Sequence, residues 1–254
     1  MITKFNALLS KSGGLSYHLK SFSQKKNWNS YTIPLNKWLM SWPVKKKQLV
    51  LIAPSAGYSL TNEFLNQFHK IIAIDPDPIS PLIFKHRLSH PNIQWIRKDY
   101  FFMNNKWNES ALNHISKDFP HAQYLLCNFL GQIPVLKKRS TSQLENLFAQ
   151  LQMQVSYTFS SGLWASYHDL YSSENPEALF QLVKQHYPSL SATFQQDFFI
   201  AHSPAKKEAL CQATDHYTTD LFQDAIGLNK KLFLWHIHKN YFHLIEGVFY
   251  EEKK

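Results

Sequence analysis

Glycine is scarce in this chain, at 7 of 254 residues against about 7% in an average protein. Gly13, Gly14, Gly57, Gly131, Gly162, Gly227 and Gly247 are scattered along the sequence. That distribution excludes a complete glycine-rich phosphate cradle of the P-loop or GxGxxG kind. Cysteine is scarcer still: Cys127 and Cys211 supply neither a disulfide framework nor a CxxC metal pattern. Arginine is nearly missing, since Arg87, Arg97 and Arg139 stand among 27 basic residues. The formal charge of +9 is therefore a lysine charge, without the planar forks that read guanine or phosphate bidentately. Clusters such as Lys25-Lys26, Lys45-Lys46-Lys47 and Lys137-Lys138-Arg139 can neutralise phosphates without reading sequence, or serve as plain surface charge. No apolar run approaches the ~20 residues of a membrane span, and Met1–Asn6 lacks the apolar core of a signal peptide. The composition predicts a soluble, cytoplasmic chain with no membrane association.

What is present is apolar and aromatic: 44% hydrophobic and 15% aromatic residues, enough for a substantial core. Residues 1–46 read as a helical lead-in packed on the core. Leu15, Leu19 and Phe22 fall at helical spacing, and Pro34 is placed to open a second helix at its first turn. From residue 47 the pattern becomes regular. Gln48–Ala53, Ile71–Ile74, Ile93–Ile96 and Tyr124–Asn128 are short apolar runs of the kind buried on both faces of a sheet. Helices are predicted between them, over 80–88, 108–117 and 141–152, and Val155–Phe159 alternates as a fifth strand. Leu232–His238 and Phe242–Tyr250 form a terminal hairpin around Lys239-Asn240-Tyr241. The stretch 161–230 shows no clear strand and reads as a mainly helical insertion, a lid over the binding edge. The fold class predicted is α/β: a doubly wound, mostly parallel sheet ending in an antiparallel strand pair.

Ligands of open α/β sheets bind outside the carboxyl ends of the strands, so the strand ends carry the chemistry. After the first strand stand Pro54, Ser55, Ala56 and Gly57, small residues that let a ligand approach the backbone. After the second stands Asp75, followed by Pro76, at roughly the spacing where a carboxylate accepts both hydroxyls of a nucleotide ribose. The third leads to Asp99 and Tyr100, the fourth to Asn128 and Phe129. Each alone has a bland explanation, such as a tight turn, a helix cap or a turn-bonding amide. Four consecutive ends carrying small, acidic, acidic and amide groups point jointly to a nucleotide-type pocket.

On these residues the sequence resembles the class I (Rossmann-like) S-adenosylmethionine-dependent methyltransferases. Leu49–Gly57 is similar to the family's first motif and Ile72–Asp75 to its second, which holds the ribose. Asp99-Tyr100 stands where the family contacts adenine, and Leu126–Gly131 is similar to the fourth-strand position facing the methyl group. The terminal hairpin also matches, because that family ends its sheet with an antiparallel pair. The family's first motif usually carries an acidic residue where this chain has Ala53-Pro54, and further glycines where it has Ser55 and Ser59. The resemblance implies S-adenosyl-L-methionine as cofactor and a methyl acceptor, either a small molecule or nucleic acid. The alternative, on the departures and the lysine excess, is a catalytically silent basic binding or scaffold protein, possible partners including RNA. Oligomeric state is not set by the sequence.

Thirteen histidines offer proton acceptors. His168, next to Asp169 and downstream of the fifth strand, is one candidate general base; His216, next to Asp215, is another. His236 and His238 share a strand face with His243 across the hairpin, but no acidic or cysteine partner is near in sequence. That trio therefore reads as aromatic-rich strand surface, and no metal centre is expected. Glu246 reads as structural.

Overall fold

The computed structural model describes residues 15–103, 106–133, 141–158, 163–190, 194, 213–219, 221–222, 228–238 and 240–250. The basic cluster at 137–139, Cys211 and much of the expected insertion lie outside the described residues. Chain order runs α1 (Leu15–Ser23), α2 (Lys25–Ser41), β1 (Gln48–Ile52), α3 (Asn62–Leu65), β2 (Lys70–Ile74), α4 (Ser80–Arg87) and β3 (Ile93–Ile96). A small ribbon of β4 (Phe102–Met103) and β5 (Lys106–Trp107) follows, then α5 (Ala111–Asp118), β6 (Ala122–Cys127) and α6 (Thr141–Thr158). The rest comprises β7 (Trp164–Ser173), α7 (Pro176–His186), β8 (Ala213–Asp215), β9 (Leu228–His238) and β10 (Tyr241–Tyr250).

The sheet order is β3-β2-β1-β6-β7-β10-β9, with β8 pairing β7 off that path. β3, β2, β1, β6 and β7 are mutually parallel, and β10 runs antiparallel between β7 and β9. Burial explains why the central strands read as continuous apolar runs. Leu49, Leu51 and Ile71 face one core, together with Trp28, Tyr31, Trp38 and Phe64. Val50, Ile52 and Ile72 face the other, with Leu112, Leu147 and Phe148.

The α/β class, the first four strands and the terminal hairpin stand as expected. Three expectations are corrected. The fifth strand is Trp164–Ser173, not Val155–Phe159, which α6 occupies to Thr158. Consequently the described part of 161–230 is not the mainly helical insertion expected; it holds β7, α7, β8 and the first residues of β9. β7 was obscured because its polar residues, Ser166, His168, Asp169, Ser172 and Ser173, are buried, so strand burial left no apolar signature. Second, Pro34 opens no helix but lies inside α2. The missing N–H is tolerated because Tyr31, Leu35, Trp38 and Leu39 are buried along one side of that helix. On α1 the apolar spacing misleads likewise: Leu19 and Phe22 are exposed, while His18 and Ser21 are buried.

The aromatic packing of α2 on the hairpin is close. A Cβ at Gly247 would lie 2.8 Å from Phe233 Cε2 and 3.0 Å from two atoms of the Trp38 indole. Gly247→Ala is expected to destabilise the fold by about 1–3 kcal/mol, the usual cost of overpacking a core, measured as a lower urea midpoint with unchanged slope. An unchanged midpoint would mean that the Trp38 contact is not tight.

Candidate functional site

The strand order reverses between β1 and β6, so the crevice for a ligand lies between the loops that follow them. The backbone marks the same place. Ala53 (φ 53°), Ser55 (φ 49°), Asn128 (φ 51°) and Tyr217 (φ 59°) are the described non-glycine residues with positive φ. Ala53 and Ser55 follow β1, Asn128 follows β6, and Tyr217 follows β8 beside it. Left-handed backbone carries a steric cost for residues with a Cβ and persists where surrounding contacts over-determine it.

On the β1–β2 side, Asp75 is drawn under the first loop. Its Oδ2 accepts the Ser55 N–H at 2.7 Å and its Oδ1 accepts the Asp77 N–H at 2.9 Å. Burial raises its carboxyl to about pKa 6 against those two stabilising donors. Asp77 accepts the Ile79 N–H at 2.8 Å, just before α4. From above, His18 of α1 bridges Tyr58 Oη (2.8 Å) and Asp77 Oδ2 (3.0 Å), so α1 lies across this edge. Arg87 sits over the Tyr58 ring at 4.7 Å and donates to the Ala56 carbonyl at 2.8 Å. The Ser55 hydroxyl is buried with no hydrogen-bond partner among the described residues. Gly57 (φ 65°) faces protein: a Cβ there would lie 2.6 Å from Leu88 and 2.7 Å from Phe84.

The β6–β7 side is built around a break in the ladder. β7 pairs with β6 only up to Tyr167 and with β8 only from Tyr171 onward. Asp169 falls in the gap, where its main chain lacks a strand partner on that side. Side chains fill the vacancy: Asn128 Oδ1 accepts the Asp169 N–H at 3.0 Å, and the Thr218 hydroxyl donates to the Asp169 carbonyl at 2.5 Å. On its other side β7 carries a bulge, since Leu244 and Ile245 of β10 face Tyr171 and Asp169, leaving Leu170 over. One extra residue switches the parity of the strand. Asp169 before it and Ser172 after it consequently reach one polar group.

That group is dense. His243 Nδ1 donates to Asp169 Oδ1 at 2.9 Å, while Asn128 Nδ2 (3.1 Å) and Gln132 Nε2 (2.9 Å) donate to Oδ2. His216 Nδ1 donates to the Gly131 carbonyl at 2.8 Å, and its Nε2 meets the Ser172 hydroxyl at 3.1 Å. Tyr241 also donates to Ser172, at 3.0 Å. Complete burial pushes the Asp169 carboxyl up, but the charges and bonds of His243, His216 and Asn128 outweigh it and hold the carboxyl at about 2. Gly131 is obligatory beside it, because a Cβ there would lie 2.6 Å from Asp169 Cβ and 2.7 Å from its nitrogen.

The structure thus brings Pro54, Ser55, Ala56, Gly57, Asp75 and Pro76 to one flank of the crevice and Asn128, Phe129, Asp169 and His216 to the other. Asp99 lies on the outer side, its Oδ1 taken by the Phe101 and Phe102 N–H groups at 3.0 Å each. Tyr100 is turned to Asp118, 2.7 Å away. The pairing of His168 with Asp169 is corrected: neighbours on a strand face opposite ways. His168 is fully buried, 3.0 Å from the Ser166 hydroxyl and 3.4 Å from Glu246 Oε2. His216 likewise pairs with Gly131 and Ser172 rather than with Asp215, which accepts the Tyr217 N–H. The expectation that His243 has no acidic partner is also corrected, since Asp169 stands 74 residues away in sequence and 2.9 Å away in space. Gln132 and Ser172 are the members that sequence reasoning missed, His243 was grouped there with His236 and His238, and no local spacing could have joined them.

No family model matches this sequence, and no curated protein matches it. Among solved structures the chain is similar to a SAM-dependent methyltransferase from Anabaena variabilis, with 14% identity, TM-score 0.44, and 92% of this chain and 93% of that one covered. It is also similar to the N-methyltransferase NodS from Bradyrhizobium japonicum in complex with S-adenosyl-L-homocysteine (11%, TM-score 0.41, 87% and 86% covered). A third is magnesium protoporphyrin IX methyltransferase from Synechocystis with bound SAM (9%, TM-score 0.41, 98% and 91% covered). Likenesses this distant carry no argument about chemistry. What stands is the fold, on the chain's own topology: a mixed sheet, mostly parallel, with an antiparallel terminal pair.

Asn128→Ala is expected to destabilise the protein by about 2–4 kcal/mol, because it strands the buried Asp169 N–H and removes a donor from the carboxylate. Urea unfolding measures this. A loss below about 0.5 kcal/mol would show that the ladder gap does not depend on Asn128.

Proposed function

We propose that the chain is an S-adenosylmethionine-dependent methyltransferase. The observation that carries the proposal is the concentration of left-handed backbone, a buried unpartnered hydroxyl and a recessed carboxylate at the strand-order reversal. The donor set fits the cofactor. Ser55 Oγ has an unmet hydrogen bond, and each Asp75 oxygen accepts one backbone N–H, which leaves lone pairs for the paired hydroxyls of a ribose. Pro54–Gly57 would hold the nucleoside from below and Asp75 with Pro76 would hold the ribose. Phe129 and Asn128 would border the methyl group. The cofactor, when bound, supplies an electrophilic methyl on a sulfonium.

The chain's own residues orient and screen. Methyl transfer needs in-line placement of a nucleophile, and positioning supplies most of its rate. Asn128 and the Asp169–His243–His216 group would form the polar wall beside which an acceptor lies. His168 is withdrawn from this role by its burial among Ser166, Glu246 and Phe222. The acceptor would be a small molecule, or a nucleic acid drawn by the lysine surface.

Calorimetry with S-adenosylmethionine and S-adenosylhomocysteine tests the proposal. Both are expected to bind with one site, and Asp75→Ala is expected to weaken them at least about 100-fold, two hydrogen bonds to a charged acceptor being about 3–6 kcal/mol. No binding of either would contradict it, and steeply salt-dependent RNA binding unaffected by Asp75→Ala would favour a silent binding protein.

A pH dependence follows from Asp75. A buried carboxyl titrating at about 6 is ionised at neutral pH, and its ionised form accepts hydroxyls best. Because its folded value lies above the unfolded 3.8, it costs stability above about pH 6, and the cost is relieved as pH falls below that. Cofactor affinity is therefore expected to drop roughly tenfold per pH unit below about 6 without loss of fold. A flat affinity between about pH 7.5 and 5 would remove Asp75 from the ribose site.

A further inference from the structure

We propose that Asp169, His216 and His243 bind one divalent transition-metal ion, whose remaining coordination positions take an oxygen or nitrogen of the methyl acceptor. Metal binding stands on these residues alone; only the acceptor's role rests on the methyltransferase reading. One ligand atom from each of the three lies within 4.8 Å of the others, and all three residues are buried. Two imidazoles and one carboxylate suit Zn²⁺, Mn²⁺, Fe²⁺ or Co²⁺ rather than Mg²⁺ or Ca²⁺, which favour all-oxygen shells. Three protein ligands leave open positions, the arrangement of a working rather than a purely structural site.

The surroundings are those of a ligand set held in place. The Gly131 carbonyl takes the Nδ1 proton of His216, which fixes the tautomer and leaves Nε2 with its lone pair for a metal. The Ser172 hydroxyl, which also accepts from Tyr241, occupies that lone pair and would have to yield it to the metal. Asn128 and Gln132 hold Oδ2 of Asp169, as outer-shell donors hold a ligating carboxylate. Oδ1 faces His243 Nδ1 at 2.9 Å, close to the edge of an octahedron with bonds of ~2.1 Å. A metal ion on that edge replaces the bridging proton, which passes to His243 Nε2 as the neutral ring changes tautomer. The His216 ring then needs to approach by no more than about 1–2 Å. An ionised carboxylate with two neutral imidazoles carries one negative charge, so a dication is only partly neutralised and keeps its Lewis acidity toward an acceptor oxygen.

The test uses the full chain, stripped with chelator and dialysed against Zn²⁺, Mn²⁺ or Co²⁺ at about 100 µM, with bound metal counted by mass spectrometry and Co²⁺ followed by its visible spectrum. One equivalent is expected, weakened at least tenfold in His216→Gln and in His243→Gln, and retained in His236→Ala/His238→Ala. No stoichiometric binding, or binding undiminished in the first two variants, overturns the proposal. Should those variants fail to fold, Mn²⁺ broadening of imidazole resonances in the wild-type chain decides it. Broadening centred on His216 and His243 supports the site, and broadening centred on other histidines overturns it. Calorimetry with S-adenosylhomocysteine on the metal-free chain separates the two proposals, since that binding does not require the ion.

Discussion

The functional edge of this protein depends on an interruption. β7 is the long strand that continues the sheet past the point where β6 stops and before β8 begins. An interior strand that loses its neighbour exposes an N–H and a C=O that burial makes expensive to leave unpaired. Asn128 and Thr218 supply the missing partners with their side chains. Once Asn128 is committed there, its positive φ, the tight turn through Gly131 and the approach of His216 are fixed by contact. The bulge at Leu170 then sets which side chains meet. Without the extra residue Asp169 and Ser172 would face opposite ways, and the polar group could not assemble.

The two flanks of the crevice differ in kind. Toward β1 and β2 the groups are few, recessed and fed by backbone N–H donors, as a nucleoside site requires. Toward β7, β8 and β10 the groups are a connected side-chain network around an ionised, fully buried carboxylate. Such a network is stable only when each member is satisfied, which explains why Asp169 alone engages His243, Asn128 and Gln132. A second buried assembly, His168 with Glu246 and Lys230, lies on the opposite face of β7 beneath Phe222. Its members meet where β10 pairs with β7, Glu246 standing opposite His168.

Much of the frame was legible in the sequence because parallel strands buried on both faces must be apolar throughout. Leu49–Ile52, Ile71–Ile74 and Leu125–Cys127 have that signature, and they locate the strand ends at Pro54–Gly57, Asp75 and Asn128. β7 has the opposite signature. Its buried polar residues are paired across long sequence distances, so neither alternation nor apolarity marks it, and α6 runs on through the segment that alternates. The same cause hid the site. Asp169 and His243 are joined by a strand pairing and a bulge, neither of which a spacing rule encodes. Adjacency suggested His168 with Asp169, and the pleat separates them. Glycine scarcity, which excluded phosphate cradles, also proved more specific than expected: Gly57, Gly131 and Gly247 each sit where a Cβ would strike neighbouring side chains or backbone.

A crystal structure grown with S-adenosylhomocysteine tests the central claim most directly. The account predicts the nucleoside between the loops after β1 and β6, its ribose hydroxyls on Asp75 and its sulfur toward Asn128. A ligand bound elsewhere, or a crevice without ligand at saturating concentration, would contradict it.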